Sequence, residues 1–221
     1  MAPGIEVSLL RSKTMYGEMH IVAARIDPRR CDIRMRYVAE RDGLSGSYAE
    51  KECPSPGVAI NGSFFAEDGS PLGLLVVDGR QLQRHFPVHE WGTFQLRNGR
   101  PELVKSSAQL ADGVTQALEC KPRLVVHGVV QAVKRQKTAE RSAVGMDRRG
   151  QVIFAATQQG VMTLEQWARC VQRFGCVDAL NLDGGPSAQM MVRGEKKKIL
   201  VNGSSRVPVF MIATPAEHRS H

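Results

Sequence analysis

The residues best suited to chemistry in this chain lie in the segment Asn181-Leu182-Asp183-Gly184-Gly185-Pro186-Ser187. Its two adjacent glycines have no Cβ and permit positive φ, so backbone N–H groups there can approach a ligand closely. Asp183 comes directly before this turn and Ser187 closes it, which adds a carboxylate and a hydroxyl. The segment is therefore suited to an anionic or polyhydroxylated ligand. A tight turn with an exposed Asp has the same pattern and stays open as an alternative.

Three further segments place a polar residue or a glycine at the end of an apolar run. Asn61-Gly62 follows the predicted strand Gly57 to Ile60, His127-Gly128 interrupts the apolar run 123–130, and Arg141 precedes the run 142–146. Polar side chains at strand ends commonly line a cleft at one edge of a sheet. We therefore take these residues, together with Asp183, as candidates for one site.

Each candidate also has a purely structural interpretation. Asn61 can be a turn residue, because Asn-Gly is a turn signal by itself. Arg141 can form a surface salt bridge, Ser187 can be a helix cap, and His127 can be a satisfied structural histidine. Asp183 is the candidate whose surroundings least favour a structural role.

The elements that must position these residues are mostly short strands. Turn signals at Asp78-Gly79, Asn98-Gly99 and 147–150 predict three hairpins. The one strongly patterned helix runs from Leu164 to Phe174, with Thr163 as its cap and Gly175 as its stop. A shorter helix is expected within 47–53. This pattern predicts an α+β fold, a single domain over 1–221 with few helices and a mostly antiparallel, curved sheet.

The overall charge favours anionic partners without indicating nucleic acid. The chain has 221 residues, a formal net charge of +8 and 5% aromatic residues. Its basic residues are scattered and lack the interleaved aromatics of a single-strand-binding surface. We therefore expect no specific nucleic-acid partner and no transmembrane segment. The first residues lack a signal-peptide pattern, which predicts a cytoplasmic protein or one whose leader was removed.

The five cysteines form no C-x-x-C pair, so neither a zinc ribbon nor a thioredoxin-type motif is indicated. Buried reduced thiols are the favoured interpretation, and pairing of Cys170 with Cys176 in an oxidising compartment stays open. No metal-ligand cluster of usual spacing is visible, although Asp183 with nearby carbonyls can hold a divalent cation. No cofactor is predicted with certainty.

Four segments in order resemble those of the phosphodiester glycosidase family. Asn61-Gly62-Ser63-Phe64-Phe65 is similar to its NGGFF-type segment, and the run 141–146 is similar to its R-T-A-x-G segment. The run 162–187 resembles its helix followed by LDGGGS, and 201–208 resembles its closing segment. The resemblance extends over roughly 4–214 and is strongest over 57–214. Ser63 and Pro186 stand where the family pattern has glycine, and Pro186 removes one backbone donor.

The resemblance implies a hydrolase that cleaves a sugar from a phosphodiester-linked or related glycan, with a glycan or sugar phosphate as its partner. It implies that Arg141 binds the phosphate. It also implies that Asp183 acts as a base, as a nucleophile or as the acceptor of a hydrogen bond from a sugar hydroxyl. Asn61 orients the sugar or Asp183. The remaining candidates are expected to bind substrate: Gly62, Gly184, Gly185, Ser187, Arg206 as a second cation, and His127.

Two other functions stay open. One is a non-catalytic glycan-binding or cell-wall-binding module of the same fold. The other is a protein directed at nucleotides or nucleic acid, whose binding would weaken steeply with salt and would not need Asp183. The resemblance suggests an enzyme of a bacterial envelope. The protein is expected to be periplasmic or secreted if a leader was removed, and cytoplasmic otherwise. The oligomeric state is open.

Overall fold

The computed structural model describes residues 2–14, 17–38, 46–86, 91–107, 109–132 and 137–216. In chain order these residues form β1 (Ile5–Thr14), β2 (Gly17–Ile26), β3 (Cys31–Tyr37), α1 (Ala49–Glu52), β4 (Gly57–Asn61), β5 (Leu75–Val77), β6 (Arg80–Gln83), β7 (Gly92–Arg97), β8 (Arg100–Lys105), β9 (Val114–Cys120), β10 (Arg123–Val126), β11 (Val129–Val130), β12 (Ser142–Asp147), β13 (Val152–Gln159), α2 (Leu164–Arg173), β14 (Cys176–Asn181), β15 (Met190–Arg193), β16 (Lys198–Val201) and β17 (Val209–Pro215).

The strands form three sheets, and neighbouring strands in them run antiparallel. Sheet one has the order β1-β2-β13-β12-β14-β10-β11, sheet two the order β16-β15-β4-β17-β3, and sheet three the order β6-β5-β9-β7-β8. The α+β class with mostly antiparallel strands and few helices is thus confirmed, with the strands divided among three sheets.

One buried cluster joins all three sheets. It contains Val144 and Leu180 from sheet one, Ile60 from sheet two, and Phe94 and Leu118 from sheet three, among others. Because neither face of β4 is exposed, this strand reads as a continuous apolar run that ends at Asn61. The burial of β4 therefore brings Asn61 to the interior end of its sheet.

The helix α2 covers the other face of sheet one. Thr163 and Gln166 form a capping box at its start, and Gly175 follows its end at a φ of +97°. Its buried residues Leu164, Trp167, Ala168 and Val171 pack with residues of β2, β13 and β14. The sequence prediction for this helix is confirmed, apart from one residue at its C-terminal end.

The predicted hairpins form on the predicted turns. Asp78 and Asn98 have φ of +49° and +50°, and each is followed by a glycine of positive φ, as a type I′ turn requires. His127 and Gly128 form a further turn of this kind between β10 and β11, with φ of +49° and +82°. The break in the apolar run at His127 is therefore a hairpin turn.

The sequence analysis did not identify β9 and β15. β9 carries the buried polar residues Gln116 and Glu119, which interrupt the alternation expected of a strand. β15 follows the 185–187 turn so closely that its four residues were not separated from the loop. All five cysteines are free thiols, and burial raises the pKa of the Cys31 and Cys53 thiols to about 11.

Candidate functional site

Three chain segments meet where β14 ends. β12 pairs with β14 in a register that sets Ala143 opposite Asn181, and the Leu182 N–H donates to the Ser142 carbonyl at 2.9 Å. Continuing this register beyond the two strands places the backbone of Arg141 beside that of Asp183, in keeping with the close approach of Gly184 to the Glu140 carbonyl. The Asp183 N–H donates to the Gly62 carbonyl at 3.1 Å, which brings in the segment after β4. Asn61, Gly62, Arg141 and Asp183 are therefore neighbours, although they are up to 122 positions apart.

The Asp183 carboxyl group lies in a partly buried position. Burial raises its pKa above the ordinary value, and hydrogen bonds from the Ser187 hydroxyl and the Gly184 N–H act in the opposite direction. The Gly184 nitrogen lies 3.0 Å from the Asp183 Oδ1 atom. A carboxyl group with a raised pKa in such a position is suited to proton transfer or to stabilising a positive centre.

Asn61 holds the Asp183 segment in place. Its Nδ2 donates to the Asp183 carbonyl at 2.8 Å, and its Oδ1 accepts from the Gln189 N–H at 3.1 Å. The residue is fully buried. Both polar ends of its amide therefore connect to the backbone on either side of the turn, so Asn61 orients the backbone that carries Asp183.

The glycines permit close backbone packing. A Cβ on Gly62 would lie 2.6 Å from the Val209 Cγ1, and a Cβ on Gly184 would lie 2.7 Å from the Glu140 carbonyl oxygen. Gly185 has a φ of +59° and its N–H donates to the same Glu140 carbonyl at 2.8 Å. The N–H groups of Gly184 and Gly185, which the sequence analysis offered to a ligand, thus have intramolecular acceptors.

Ser187 and Pro186 lie in a 3-10 turn over Gly185–Ser187. Pro186 occupies an early position of this turn, where a missing N–H costs little because the first N–H groups of a helical turn lack an internal acceptor. The Pro186 carbonyl accepts from the Ser204 and Ser205 N–H groups at 2.9 and 3.0 Å. Ser187 is buried beside Asp183.

The Arg141 guanidinium binds backbone carbonyls. Its Nε donates to the Met162 carbonyl at 3.0 Å and its Nη2 to the Lys137 carbonyl at 2.7 Å. Burial lowers the pKa of this guanidinium, and the nearby Glu140 carboxylate opposes that effect. Arg141 and Asp183, both of which the structure describes, do not form an ion pair. The guanidinium of Arg141 therefore holds the segment 137–141 against Met162, and its aliphatic Cδ lies near Gly184.

Arg206 lies against an aromatic ring, and His127 lies in the turn between β10 and β11. The Arg206 guanidinium is exposed and stands over the Tyr48 ring at 6.0 Å, on the sheet-two side of the 183–187 loop. His127 is exposed, and its N–H donates to Asp178 Oδ1 at 3.1 Å. Asp178 precedes Asp183 by five positions of an extended chain, or about 16 Å. The structure does not bring His127 to the Asp183 cluster.

Several residues near the site were missed by the sequence analysis. Lys121 accepts a hydrogen bond at its carbonyl from Asn181 Nδ2 at 3.0 Å, and its ammonium lies 5.1 Å from the centre of the Trp91 ring. Trp91 in turn meets Phe64 edge to face at 6.0 Å. Phe64 belongs to the motif at 61–65, whereas nothing in the sequence pattern singles out Lys121 or Trp91.

Two general findings bear on metal binding and membranes. Within the described ranges, no group of three or more His, Cys, Asp and Glu residues is arranged to hold a metal ion. None of the helices in the part of the chain that the structure describes is long and apolar enough to cross a membrane.

Comparison with known proteins identifies relatives of this arrangement. A family model described as phosphodiester glycosidase matches residues 56–212. The chain is 29% identical over 166 residues to the N-acetylglucosamine-1-phosphodiester alpha-N-acetylglucosaminidase of Mus musculus, covering 62% of this chain and 32% of that protein. The Bos taurus protein of the same name is 30% identical over 166 residues, covering 62% and 31%. The match thus spans about a third of the length of these relatives.

A solved structure has a similar fold. It is the catalytic domain of the zebrafish N-acetylglucosamine-1-phosphodiester alpha-N-acetylglucosaminidase, auto-inhibited by its pro-peptide. The two superpose with a TM-score of 0.73 at 18% identity, covering 98% of this chain and 85% of the zebrafish chain. At this identity the likeness concerns the fold.

Proposed function

The chain belongs to the phosphodiester glycosidase family, and from this premise we propose that it hydrolyses the bond between the anomeric carbon of a sugar and a phosphodiester. The observation that carries the proposal is the Asp183 carboxyl group. It lies just beyond the end of β14 with a raised pKa, the Ser187 hydroxyl donates to it, and Asn61 holds the Asp183 backbone through its carbonyl. The mouse and bovine relatives are named for this reaction on N-acetylglucosamine-1-phosphodiesters, which makes such compounds the first substrates to test.

Cleavage of the anomeric C–O bond develops positive charge on the sugar and negative charge on the leaving phosphate. In the proposed mechanism Asp183 acts at the anomeric centre as a carboxylate. A phosphate leaves without much proton assistance because it is already acidic, so neutralising its charge matters more. In this proposal Arg141 supplies the positive charge, and its Nη1 has no hydrogen-bond partner among the described residues.

The decisive experiment measures sugar release from a panel of sugar-1-phosphodiesters that includes UDP-N-acetylglucosamine. Wild type is compared with Asp183→Asn and Asp183→Ala, and Asp112→Asn, in an exposed loop, is the matched control. We expect turnover by wild type and by the control, and a loss of at least about a hundredfold in both Asp183 variants.

Two results would contradict this proposal. Equal turnover by the Asp183 variants would remove Asp183 from the mechanism. Absence of turnover by wild type, with a ligand still bound, would favour the glycan-binding module. The anomeric configuration of the released sugar separates a nucleophilic role of Asp183, which gives retention, from activation of water, which gives inversion.

We also propose a location outside the cytoplasm, in the periplasm or as a secreted protein, because the family resemblance implies action there. Measurement of the hydrolase activity in fractions of native cells tests this. Activity confined to the cytoplasmic fraction would contradict it.

A further inference from the structure

A cavity of about 740 Å³ lies on the sheet-two side of the loop that carries Asp183. Residues of α1, β15, β16 and the 202–204 loop line it, and they include Tyr48, Lys51, Arg193 and Asn202. Its volume falls within the range of about 300–1,000 Å³ typical of small-molecule sites. Asp183 and Arg141 do not belong to its walls. The cavity therefore adjoins the site described above and does not contain its carboxylate or its guanidinium.

The cationic side chains at this cavity outnumber the acidic ones. Lys51 and Arg193 line it together with Glu50, and Arg206 lies over the ring of Tyr48, which also lines the cavity. The side chains of Lys51, Glu50 and Arg206 are exposed, so all three charges can act on a ligand that approaches the cavity. This balance favours an anionic ligand.

Arg193 is fixed and incompletely satisfied. Its Nη2 donates to the Glu50 carbonyl at 2.6 Å, which anchors the guanidinium against α1. Its Nε is buried and has no hydrogen-bond partner in the part of the chain that the structure describes. A ligand in the cavity cannot reach this buried atom, but Arg193 Nη1 also has no hydrogen-bond partner among the described residues and can donate to a phosphate or carboxylate oxygen.

The same cavity has groups that suit a sugar ring. Tyr48 is an exposed aromatic residue with a relative accessibility of 39%, and Asn202 is an exposed amide residue. An aromatic face beside a few convergent polar groups is the usual make-up of a site for an amphipathic small molecule.

The floor of the cavity is connected to the Asp183 loop. Gln189, which lines the cavity, donates through Nε2 to the Ser187 carbonyl at 3.4 Å and to the Ser205 carbonyl at 3.0 Å. Ser204, also in the lining, donates its N–H to the Pro186 carbonyl at 2.9 Å. Asp183 therefore begins the 183–187 loop, and the end of the same loop contacts residues that line the cavity.

We propose that this cavity is a second binding site, for a sugar that carries a phosphate or another anionic group, distinct from the sugar that is cleaved at Asp183. The anion binds Arg193 and Lys51, and the sugar ring lies against Tyr48. The bound unit is either a further residue of the same substrate chain or a separate molecule. The proposal concerns binding and does not depend on hydrolysis.

The test is a calorimetric titration with glucose 1-phosphate, glucose, inorganic phosphate and hexaglutamate. The proteins are wild type, Asp183→Asn, Arg193→Gln and Lys51→Gln, with Arg100→Gln as an exposed control on sheet three. We expect glucose 1-phosphate to bind wild type, Asp183→Asn and the control equally. We expect it to bind at least about tenfold more weakly to Arg193→Gln, which is the loss of about one charge-assisted hydrogen bond. The Lys51 variant keeps the test valid if Arg193→Gln fails to fold.

Four results would overturn the proposal. Binding that is unchanged in both the Arg193 and Lys51 variants would exclude the cavity. Binding lost in Asp183→Asn would assign the ligand to the cleavage site instead. If inorganic phosphate bound as tightly as glucose 1-phosphate, the sugar would make no contribution to binding. Tighter binding of hexaglutamate than of glucose 1-phosphate would indicate an acidic peptide as the occupant.

The two sources of the ligand are separated kinetically. If the bound unit belongs to the substrate chain, Arg193→Gln raises KM for a longer phosphoglycan and leaves KM for UDP-N-acetylglucosamine unchanged. If the ligand is a separate molecule, added glucose 1-phosphate binds without competing with either substrate. Loss of all hydrolysis with binding intact would contradict the proposed function and leave this second site standing.

Discussion

At the scale of single residues, the environment of Asp183 favours chemistry over stability. Burial raises its pKa, so in the range between the ordinary and the raised value the folded protein holds more protons at this group than the unfolded chain. The contribution of Asp183 to the free energy of unfolding therefore falls as pH rises through that range. Above it, the buried carboxylate destabilises the fold, as expected where a reactive group is held by its surroundings.

We therefore predict that Asp183→Asn melts at or above the wild-type temperature at pH 7 while losing hydrolysis. The difference in Tm should vanish on acidification, because protonation then removes the charge from wild type. Calorimetry between pH 3 and pH 8 checks this. Asp27→Asn is a control that should change Tm in the opposite direction at neutral pH, since hydrogen bonds from Arg29 lower the pKa of Asp27. A lower Tm for Asp183→Asn at neutral pH would contradict the prediction.

Asn61 allows a second prediction at this scale. In Asn61→Asp the acceptor for the Gln189 N–H is kept, and the donor to the Asp183 carbonyl is lost. An unpaired buried acceptor costs about 1–3 kcal/mol. We expect the free energy of unfolding at neutral pH to fall by at least that amount, because the substitution also buries a charge, and kcat to fall more than KM rises because Asp183 is displaced. Asn98→Asp, in an exposed turn, should change stability by less than about 0.5 kcal/mol. Wild-type kcat in Asn61→Asp would exclude this positioning role.

At the scale of elements, the site depends on the close approach of the segment after β4 to β17. The Gly62 N–H donates to the Val209 carbonyl at 2.8 Å, and its own carbonyl accepts from Asp183. A side chain at 62 would push β17 away on one side and move Asp183 on the other. The identity of Gly62 thus reflects packing of two strands as much as contact with a ligand.

We predict that Gly62→Ala destabilises the protein by about 1–3 kcal/mol, the usual cost of overpacking, and lowers hydrolysis. The added Cβ would meet the Val209 Cγ1 at 2.6 Å. Combining it with Val209→Ala should recover part of the loss, because the contacting methyl is removed. Urea unfolding of the two single variants and the double variant measures the coupling. Strictly additive losses would show that the clash is elsewhere.

At the scale of the whole molecule, the three sheets share one buried cluster. A sheet that separated from the others would expose apolar surface on both sides of the break, which opposes independent unfolding. We therefore propose that 1–221 behaves as a single domain, as the sequence analysis expected.

We predict that the three sheets unfold in one transition. Trp91 lies beside sheet three and Trp167 lies in α2 against sheet one. Variants that retain one tryptophan each, Trp167→Phe and Trp91→Phe, report on these two regions by fluorescence. In each variant the urea midpoint from fluorescence should coincide with that from circular dichroism. Separate midpoints within one variant would divide the chain into two units.

Local sequence determined much of the architecture. Asp78-Gly79 and Asn98-Gly99 specify tight hairpins because they tolerate positive φ, and Thr163, Gln166 and Gly175 delimit α2. The four ordered motifs, among them Asn61-Gly62 and Asp183-Gly184-Gly185, indicated the family that the comparison confirmed. These signals are readable because each depends on residues within a few positions of one another.

Only the tertiary structure decided where those residues point. It showed that β9 is a strand, that His127 lies in a hairpin turn beside Asp178, and that Arg206 lies over the Tyr48 ring. It also gave the N–H groups of Gly184 and Gly185 partners inside the protein. Most of these outcomes depend on strand register and sheet order, which bring together residues that are far apart in the chain. A local sequence pattern does not specify which distant residues come into contact.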